Sequence, residues 1–262
     1  MKQHLVAALR ATGLLGAAEL LRFVLVWWRG RAANAAYLAA HPDFVAPPAW
    51  GMYEAYSYTS YAAYAASGED TAQFIAGLIR RHGAADPVVA EWGCGLARIV
   101  RPLQRLTGWP TTGFDYNAAS ITWCARHVPG IAFHKNELDP PLPVPAKSFD
   151  ALYCISVFTH LPEDLHMAWI GEIRRVLKPG GLLIASFHSD QVVDRLRPSE
   201  AARFRAGELV VRSHRRKGGR LFAAYHPRAF IEGKLLQGFD ILEVIENPIP
   251  SMAQTVVVAR FK

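Results

Sequence analysis

The pattern of apolar and polar positions changes near position 86. Before it, apolar residues recur at helical spacing and predict helices up to Trp28, over positions 32–40 and over positions 71–83. After it, short apolar runs alternate with amphipathic segments, as strands alternate with helices in a parallel sheet. We therefore predict a helical N-terminal cap or lid at residues 1–85 and an α/β domain at residues 86–262.

The apolar runs of the second part predict the strands of one sheet. Five of them lie before position 189: "PVVAEW", "TTGFDY", "IAFHK", "FDALYCIS" and "LLIASFH". "DILEVIEN" and "QTVVVARF" follow later, and we expect the last to form an antiparallel edge strand. Residues 189–236 break the alternation and predict a small β insertion after the fifth strand, on the substrate side. The predicted fold class is α/β, with a doubly wound, mostly parallel seven-stranded sheet.

Composition adds little to the fold but limits the chemistry. The chain has 262 residues, 51% of them hydrophobic, a formal charge of +7 and three scattered cysteines. So few cysteines do not form a disulfide framework, and a reducing cytoplasm is the expected location. His, Cys and carboxylate residues show no metal-site spacing, so no metal is expected.

The first thirty residues are apolar enough to raise the question of a membrane. Arg10, Glu19 and Arg22 interrupt the stretch, so no uncharged run reaches the roughly 20 residues that cross a bilayer. A helix is predicted. Its pattern leaves open whether the helix packs on its own protein, on a second copy in a homodimer, or on a membrane surface.

Candidate chemistry begins at "EWGCG", where a predicted strand ends in a glycine turn. A dinucleotide would need a third glycine at position 98, which is Arg98, and Glu91 would place a negative charge near a pyrophosphate. The turn therefore favours a phosphate-free, cationic ligand, and S-adenosylmethionine fits this description. Asp115 ends the second strand, where a carboxylate can accept both ribose hydroxyls, and Tyr116 would flank the adenine.

Four ordered segments then resemble the class I S-adenosylmethionine-dependent methyltransferases: "EWGCGLA", "GFDYN", "FDALYCISVFTHLPED" and "RVLKPGGLLIASFH". The resemblance covers residues 88–188 and implies a Rossmann-like fold, S-adenosylmethionine as cofactor, S-adenosylhomocysteine as product and no metal. It implies cofactor contacts at Glu91, Gly93, Cys94, Gly95, Asp115, Tyr116, Asn136, Glu137, Leu138, Ile155 and Ser156. At Asn136 an amide replaces the acid that often contacts adenine, and at Ala97 an alanine replaces the usual third glycine.

Methyl transfer needs a general base only if the acceptor loses a proton during attack. His188, directly after the fifth strand, and His160, after the fourth, are candidates, each with a plain structural role as the alternative. The tyrosine-rich segment before position 65 either fixes the cap or closes over the donor. In the second case Tyr58 would act in catalysis and Tyr61 would contact the cofactor.

These features predict methyl transfer to a hydroxyl or amine of a small molecule, such as a natural product or a sugar. The basic turn "RSHRRKGGR" is either a solvated hairpin tip or a site for an anionic group. Two alternatives remain: an RNA or protein methyltransferase, and a non-catalytic module that binds S-adenosylmethionine. A nucleic-acid partner is not expected, because no base-amine motif follows the fourth strand and no RNA-binding appendage is recognised.

Overall fold

A computed structural model describes residues 15–212 and 222–262. The described residues form two compact units, which divide between Ala66 and Ser67. Helix α3 (Tyr61–His82) contributes its first turn to one unit and its remaining turns to the other.

In the first unit, α1 (Leu15–Ala40) is one continuous helix where the sequence predicted two, and α2 (Ala49–Tyr56) follows it. The Asn34 side chain joins α1 to the start of α3, because its Nδ2 donates to the Thr59 carbonyl at 2.7 Å and its Oδ1 accepts from the Tyr61 N–H at 2.9 Å. Among the residues with described structure, no helix is long and apolar enough to cross a membrane.

The second unit contains a seven-stranded sheet in the order β3-β2-β1-β4-β5-β9-β8. Strands β1 to β5 are parallel, whereas β9 is antiparallel to both β5 and β8. This confirms the predicted mostly parallel, Rossmann-like sheet. The strands are β1 (Val89–Trp92), β2 (Thr111–Asp115), β3 (Ala132–Lys135), β4 (Phe149–Cys154), β5 (Leu177–Phe187), β8 (Phe239–Glu246) and β9 (Thr255–Phe261).

One position within this sheet differs from the prediction. The last strand, β9, is not at the edge: it lies between β5 and β8, and β8 forms the edge. The burial pattern gives the reason, because five consecutive residues of β9 from Thr255 are buried, as in a strand covered on both faces. Most residues of β8 are only partly buried.

Helices connect the parallel strands: α4 (Val100–Thr107), α5 (Ala118–His127) and α6 (Glu163–Val176). A short 3₁₀ helix, Phe158–His160, follows β4. After β5, the predicted insertion contains a 3₁₀ helix (Asp190–Arg195), α7 (Pro198–Arg205), a two-stranded ribbon of β6 (Val210–Arg212) and β7 (Ala223–Tyr225), and α8 (Arg228–Phe230), which continues as a π-helical turn (Ile231–Leu235).

The second unit begins earlier in the chain than the predicted domain boundary. Ala72, Ile75 and Ile79 of α3 are fully buried in the same cluster as Val89 of β1 and Leu182 of β5. These helical residues belong to the core of the sheet, so the units divide at Ala66 and Ser67 and not after position 85. Within the second unit, Ser67 and Gly68 of α3 lie against the loop after β1 at Arg98.

Candidate functional site

The loop after β1 is the glycine turn that the sequence singled out. Gly93 and Gly95 have φ angles of 82° and 52°, in the left-handed region that favours glycine. A Cβ on Gly93 would lie 2.4 Å from Cγ2 of Val157, so the turn packs against the segment that follows β4. The N–H groups of Gly93 and Cys94 both donate to the Phe114 carbonyl, at 2.8 and 2.9 Å, which fixes the turn to the end of β2. Burial raises the pKa of the Cys94 thiol well above its usual value, so the thiol stays neutral.

Asp115 ends β2 and faces this turn. Its Oδ2 accepts the Gly95 N–H at 2.8 Å and its Oδ1 accepts the Asn117 N–H at 2.8 Å. The residue is only 8% exposed, and burial raises its pKa from the ordinary 3.8 although both hydrogen bonds oppose that shift. Each carboxylate oxygen can accept a further hydrogen bond. The geometry therefore leaves Asp115 able to receive a diol.

Glu91 of β1 is buried beneath the turn. Its Oε2 accepts hydrogen bonds from the Val100 N–H at 2.9 Å and from the Tyr153 hydroxyl at 3.0 Å. Burial raises the pKa of Glu91 from 4.5 to about 8. Burial thus favours the protonated form of Glu91 at neutral pH, and its predicted negative charge beside a cationic ligand stays a prediction. Its contact with the methionine portion stays a prediction.

Asn136 follows β3 at the same edge of the sheet. Its N–H donates to the Asp115 carbonyl at 3.1 Å, and its Nδ2 donates to the Glu137 carbonyl at 2.6 Å. The remaining polar atom of the side chain, Oδ1, is buried and has no hydrogen-bond partner in the described structure. A buried acceptor without a donor is costly, so this atom points to a ligand that carries an N–H group. The amino group of adenine is such a donor.

The other predicted adenine contacts are Tyr116, Glu137 and Leu138. The Tyr116 ring is 37% exposed, and the Glu137 carboxylate forms a surface ion pair with Lys135. Leu138 packs against the core, and its carbonyl accepts the Trp169 indole N–H at 2.9 Å. The predicted contacts of Tyr116, Glu137 and Leu138 with adenine remain predictions.

A second set of polar residues connects the ends of β4, β5 and β9. Ser156 has a left-handed φ of 61°, and its N–H donates to the Ser186 Oγ at 2.7 Å. The Gln254 Oε1 accepts both serine hydroxyls, at 3.0 Å from Ser156 and 2.6 Å from Ser186. Ile155, the other predicted donor contact on this segment, is half-buried against the apolar cluster around α3.

The same glutamine reaches His188. With Oε1 accepting from both serines, the amide nitrogen of Gln254 faces Nε2 of His188, at 3.3 Å. An amide N–H donates, so it meets the lone pair of a neutral imidazole that carries its proton on Nδ1. Burial and the nearby His160 lower the pKa of His188 to about 4, so the ring is neutral at physiological pH.

His160 lies in the 3₁₀ helix after β4. Its Nδ1 donates to the Phe222 carbonyl at 2.8 Å, and burial lowers its pKa. The structure therefore brings His160 and His188 near each other, and a carbonyl of the insertion orients His160. The hydrogen bond with the Phe222 carbonyl also supports the alternative, purely structural role of His160.

Three predictions remain: the roles of the two tyrosines, the role of the basic turn, and the absence of a metal site. Tyr58 and Tyr61 belong to the first unit, where Tyr58 stacks on Tyr56 at 5.6 Å and Tyr61 packs near Phe44 at 5.7 Å. Their action on the donor stays a prediction. The basic turn lies almost entirely outside the described residues, which end at Arg212 and resume at position 222. Across the described ranges, no group of three His, Cys, Asp or Glu residues could hold a metal ion.

Two residues of the site were missed by the sequence interpretation. Ser186 is a polar residue inside the apolar run "LLIASFH", and this interruption was a usable signal. Gln254 gave no signal, because it precedes β9 and reaches the site only through the insertion of that strand beside β5.

Comparison with known proteins agrees with this geometry. The methyltransferase domain family matches residues 89–181. A sterol 24-C-methyltransferase of Gibberella zeae is 35% identical over 104 residues, which represent 36% of this chain and 26% of that protein. The chain thus spans about a quarter of the length of this curated relative.

Solved structures share the fold at low sequence identity. A Pyrococcus horikoshii protein, PH0226, has a TM-score of 0.56 and 17% identity, and the match covers 74% of this chain and 90% of that one. The 1,6-didemethyltoxoflavin-N1-methyltransferase of Burkholderia thailandensis, solved with bound 1,6-didemethyltoxoflavin and S-adenosylhomocysteine, has a TM-score of 0.53 and 16% identity, and the match covers 74% of this chain and 79% of that one.

The site fits the cofactor of this fold family on its own geometry. The N–H groups of Gly93 and Cys94 fix the turn to the end of β2, Asp115 keeps acceptor capacity for a diol, and Asn136 Oδ1 lacks a donor. Residues 89–181 thus match a methyltransferase domain, and the strand order of the second unit is that of the Rossmann-like methyltransferase fold.

Proposed function

We propose that the protein transfers a methyl group from S-adenosylmethionine to a hydroxyl or amine of a small molecule. The observation that carries the proposal is the pairing of Asp115 with the glycine turn, beside the unpartnered Oδ1 of Asn136. Asp115 would accept the ribose hydroxyls, and Asn136 would accept the adenine amino group. The glycine turn would hold the methionine portion above the end of β1.

The chemistry demands positioning more than acid or base strength. Bound S-adenosylmethionine supplies a methyl group on a sulfonium that is already activated. The chain has to orient the acceptor in line, and good orientation is worth about 7–11 kcal/mol of the barrier. Gly93 and Val157 are in close contact, so the turn under the donor and the segment after β4 form one continuous wall.

His188 is our candidate for the group that receives a proton from a hydroxyl or ammonium acceptor. It is neutral at physiological pH, and the lone pair that would take the proton is on Nε2, so the hydrogen bond from the Gln254 amide would have to open first. His160 is the second candidate, and Tyr58 the third. The residues after β5 would shape the acceptor pocket, because ligands of open α/β sheets bind beyond the carboxyl ends of the strands.

The relatives support a small acceptor without naming it. One of them is named for a sterol and another for 1,6-didemethyltoxoflavin. For this chain we keep the broader class, a small molecule with a hydroxyl or amine.

Replacement of Asp115 by alanine tests the donor site. We expect S-adenosylhomocysteine binding, measured by calorimetry, to weaken by at least about tenfold, because hydrogen bonds to a charged group are lost. Asp86→Ala is the matched control, since Asp86 is exposed and precedes the opposite end of β1. Equal affinity in both variants and the wild type would remove Asp115 from the donor site, and binding of a dinucleotide in place of S-adenosylhomocysteine would refute the proposal.

A further inference from the structure

Helix α1 is apolar around most of its circumference between Leu20 and Trp28. One stripe packs inside the first unit: the Phe23 ring lies 4.9 Å from the Trp50 ring and 5.5 Å from the Tyr53 ring. Farther along the same stripe, Asn34 is buried and hydrogen-bonded. This stripe is the side of α1 that packs against the rest of the first unit.

The opposite side of the helix carries large apolar side chains in contact with solvent. They are between 44 and 62% exposed: Leu20, Leu21, Val24, Leu25, Trp27 and Trp28. At 100° per residue these positions form one continuous sector, which we call the α1 outer face. Single exposed apolar residues are ordinary on a protein surface, but a contiguous set of this size marks an interaction surface.

Positive charge accompanies the α1 outer face. Arg22 and Arg29 are exposed, lie seven residues apart and so share one side of the helix, next to Leu25. Arg31 is also exposed, with its guanidinium 5.3 Å from the Trp28 ring centre. The acidic residue of this region, Glu19, points inward, where its Oε2 accepts the Tyr53 hydroxyl at 3.1 Å. The face is thus apolar in the middle and basic at the margin.

We propose that the α1 outer face docks on an anionic phospholipid surface, with the helix lying in the plane of the interface. Leucine side chains would enter the acyl boundary, the two tryptophans would sit at the headgroup level, and the arginines would pair with lipid phosphates. Charge complementarity favours lipid over a second copy of the chain, because a symmetric copy would bring the same arginines against one another. The protein's overall charge of +7 acts in the same direction.

Vesicle binding by the full-length protein tests this proposal. We expect the wild type to co-sediment with vesicles of phosphatidylcholine and phosphatidylglycerol, more weakly with phosphatidylcholine alone, and less as salt rises. The variant Leu21→Ser/Leu25→Ser/Trp28→Ser should bind the mixed vesicles at least about tenfold more weakly, because it removes the inserted groups. Leu106→Ser/Met167→Ser, which changes exposed apolar residues of α4 and α6, should bind like the wild type.

A charge variant gives a test that does not disturb apolar packing. Arg22→Glu/Arg29→Glu should lose the preference for anionic vesicles, whereas Arg126→Glu/Lys147→Glu, with the same change of net charge at exposed positions elsewhere, should keep it. Failure of the wild type to bind anionic vesicles would overturn the proposal, and so would equal binding by all variants. A wild-type dimer that the serine variant converts to monomer, without vesicle binding, would assign the face to a second copy. Donor binding is expected to be the same in all these proteins, so this result stands apart from the proposed methyl transfer.

Discussion

Glu91 is a carboxylic acid that the fold keeps protonated in the middle of its sheet. Its pKa is about 8 in the folded protein, whereas a glutamate in the unfolded chain has the ordinary value of 4.5, so the folded state binds this proton more tightly. Stability is therefore lost as the pH rises from about 4.5 to about 8. Glutamine keeps an acceptor for the Val100 N–H and cannot ionise.

We expect Glu91→Gln to be more stable than the wild type at pH 8 by about 2–4 kcal/mol, and close to it at pH 5. Urea unfolding at the two pH values measures the difference. The exposed Asp86→Asn serves as control and should show the wild-type pH dependence. Identical slopes in Glu91→Gln and the wild type would mean that Glu91 is ionised in the folded protein.

At the residue scale, the sequence predicted which residues the structure brings together at the glycine turn better than it predicted the contacts around His188. Asp115 and the glycines follow strands directly, and residues at strand ends meet at one edge of a parallel sheet. The raised pKa of Glu91 could not be predicted, because it comes from burial, and burial depends on neighbours such as Tyr153 that are distant in sequence. The sequence could not reveal Gln254 either, because its hydrogen bonds with Ser156, Ser186 and His188 also join residues that are distant in sequence.

At the scale of elements, the contact between α3 and the loop after β1 depends on Gly68. A Cβ there would lie 2.2 Å from the Arg98 carbonyl oxygen, which is backbone and cannot rotate away. Ser67 reinforces the contact, since its Oγ accepts the Arg98 Nη1 at 3.3 Å. A glycine inside a helix normally lowers stability, so this one is explained by the close approach.

Gly68→Ala should therefore destabilise the protein by about 2 kcal/mol or more, because the helix or the loop has to move. Gly77→Ala, on an exposed side of the same helix with no atom within 4 Å of the added Cβ, should stabilise it by about 0.5–1 kcal/mol. Thermal unfolding of both variants distinguishes the loss of stability caused by the clash with Arg98 from the gain caused by the higher helix propensity of alanine. A gain in stability at Gly68 would show that the two elements are farther apart than the structure places them.

The elements themselves were predicted where their patterns are local. The five parallel strands and the helices between them follow from periodicity, whereas the placement of β9 does not, because the pairing of β9 with β5 joins Phe187 to Thr255 across the whole insertion. Likewise, a helix pattern around Ile75 cannot tell whether the helix packs on a sheet or on other helices.

At the scale of the whole molecule, the position of α3 determines where the chain can be divided. A chain that begins at Ser67 keeps the buried residues Ala72, Ile75 and Ile79 and should unfold cooperatively in a thermal melt followed by circular dichroism. A chain that begins at Asp86 loses them. Two isoleucines alone contribute about 3–6 kcal/mol of burial, which is a large part of the usual net stability. Cooperative melting of the shorter chain at the same temperature would contradict this division.

Gln254 stands 66 residues after His188, and both lie beyond the matched segment, which stops at position 181. Evolution can therefore conserve the segment that we propose to hold the methyl donor while the residues around His188 diverge separately. Two proteins descended from one ancestor can agree throughout residues 89–181 and still modify unrelated compounds. A likeness confined to that segment bears on the proposed donor, and the acceptor has to be identified from the residues beyond it.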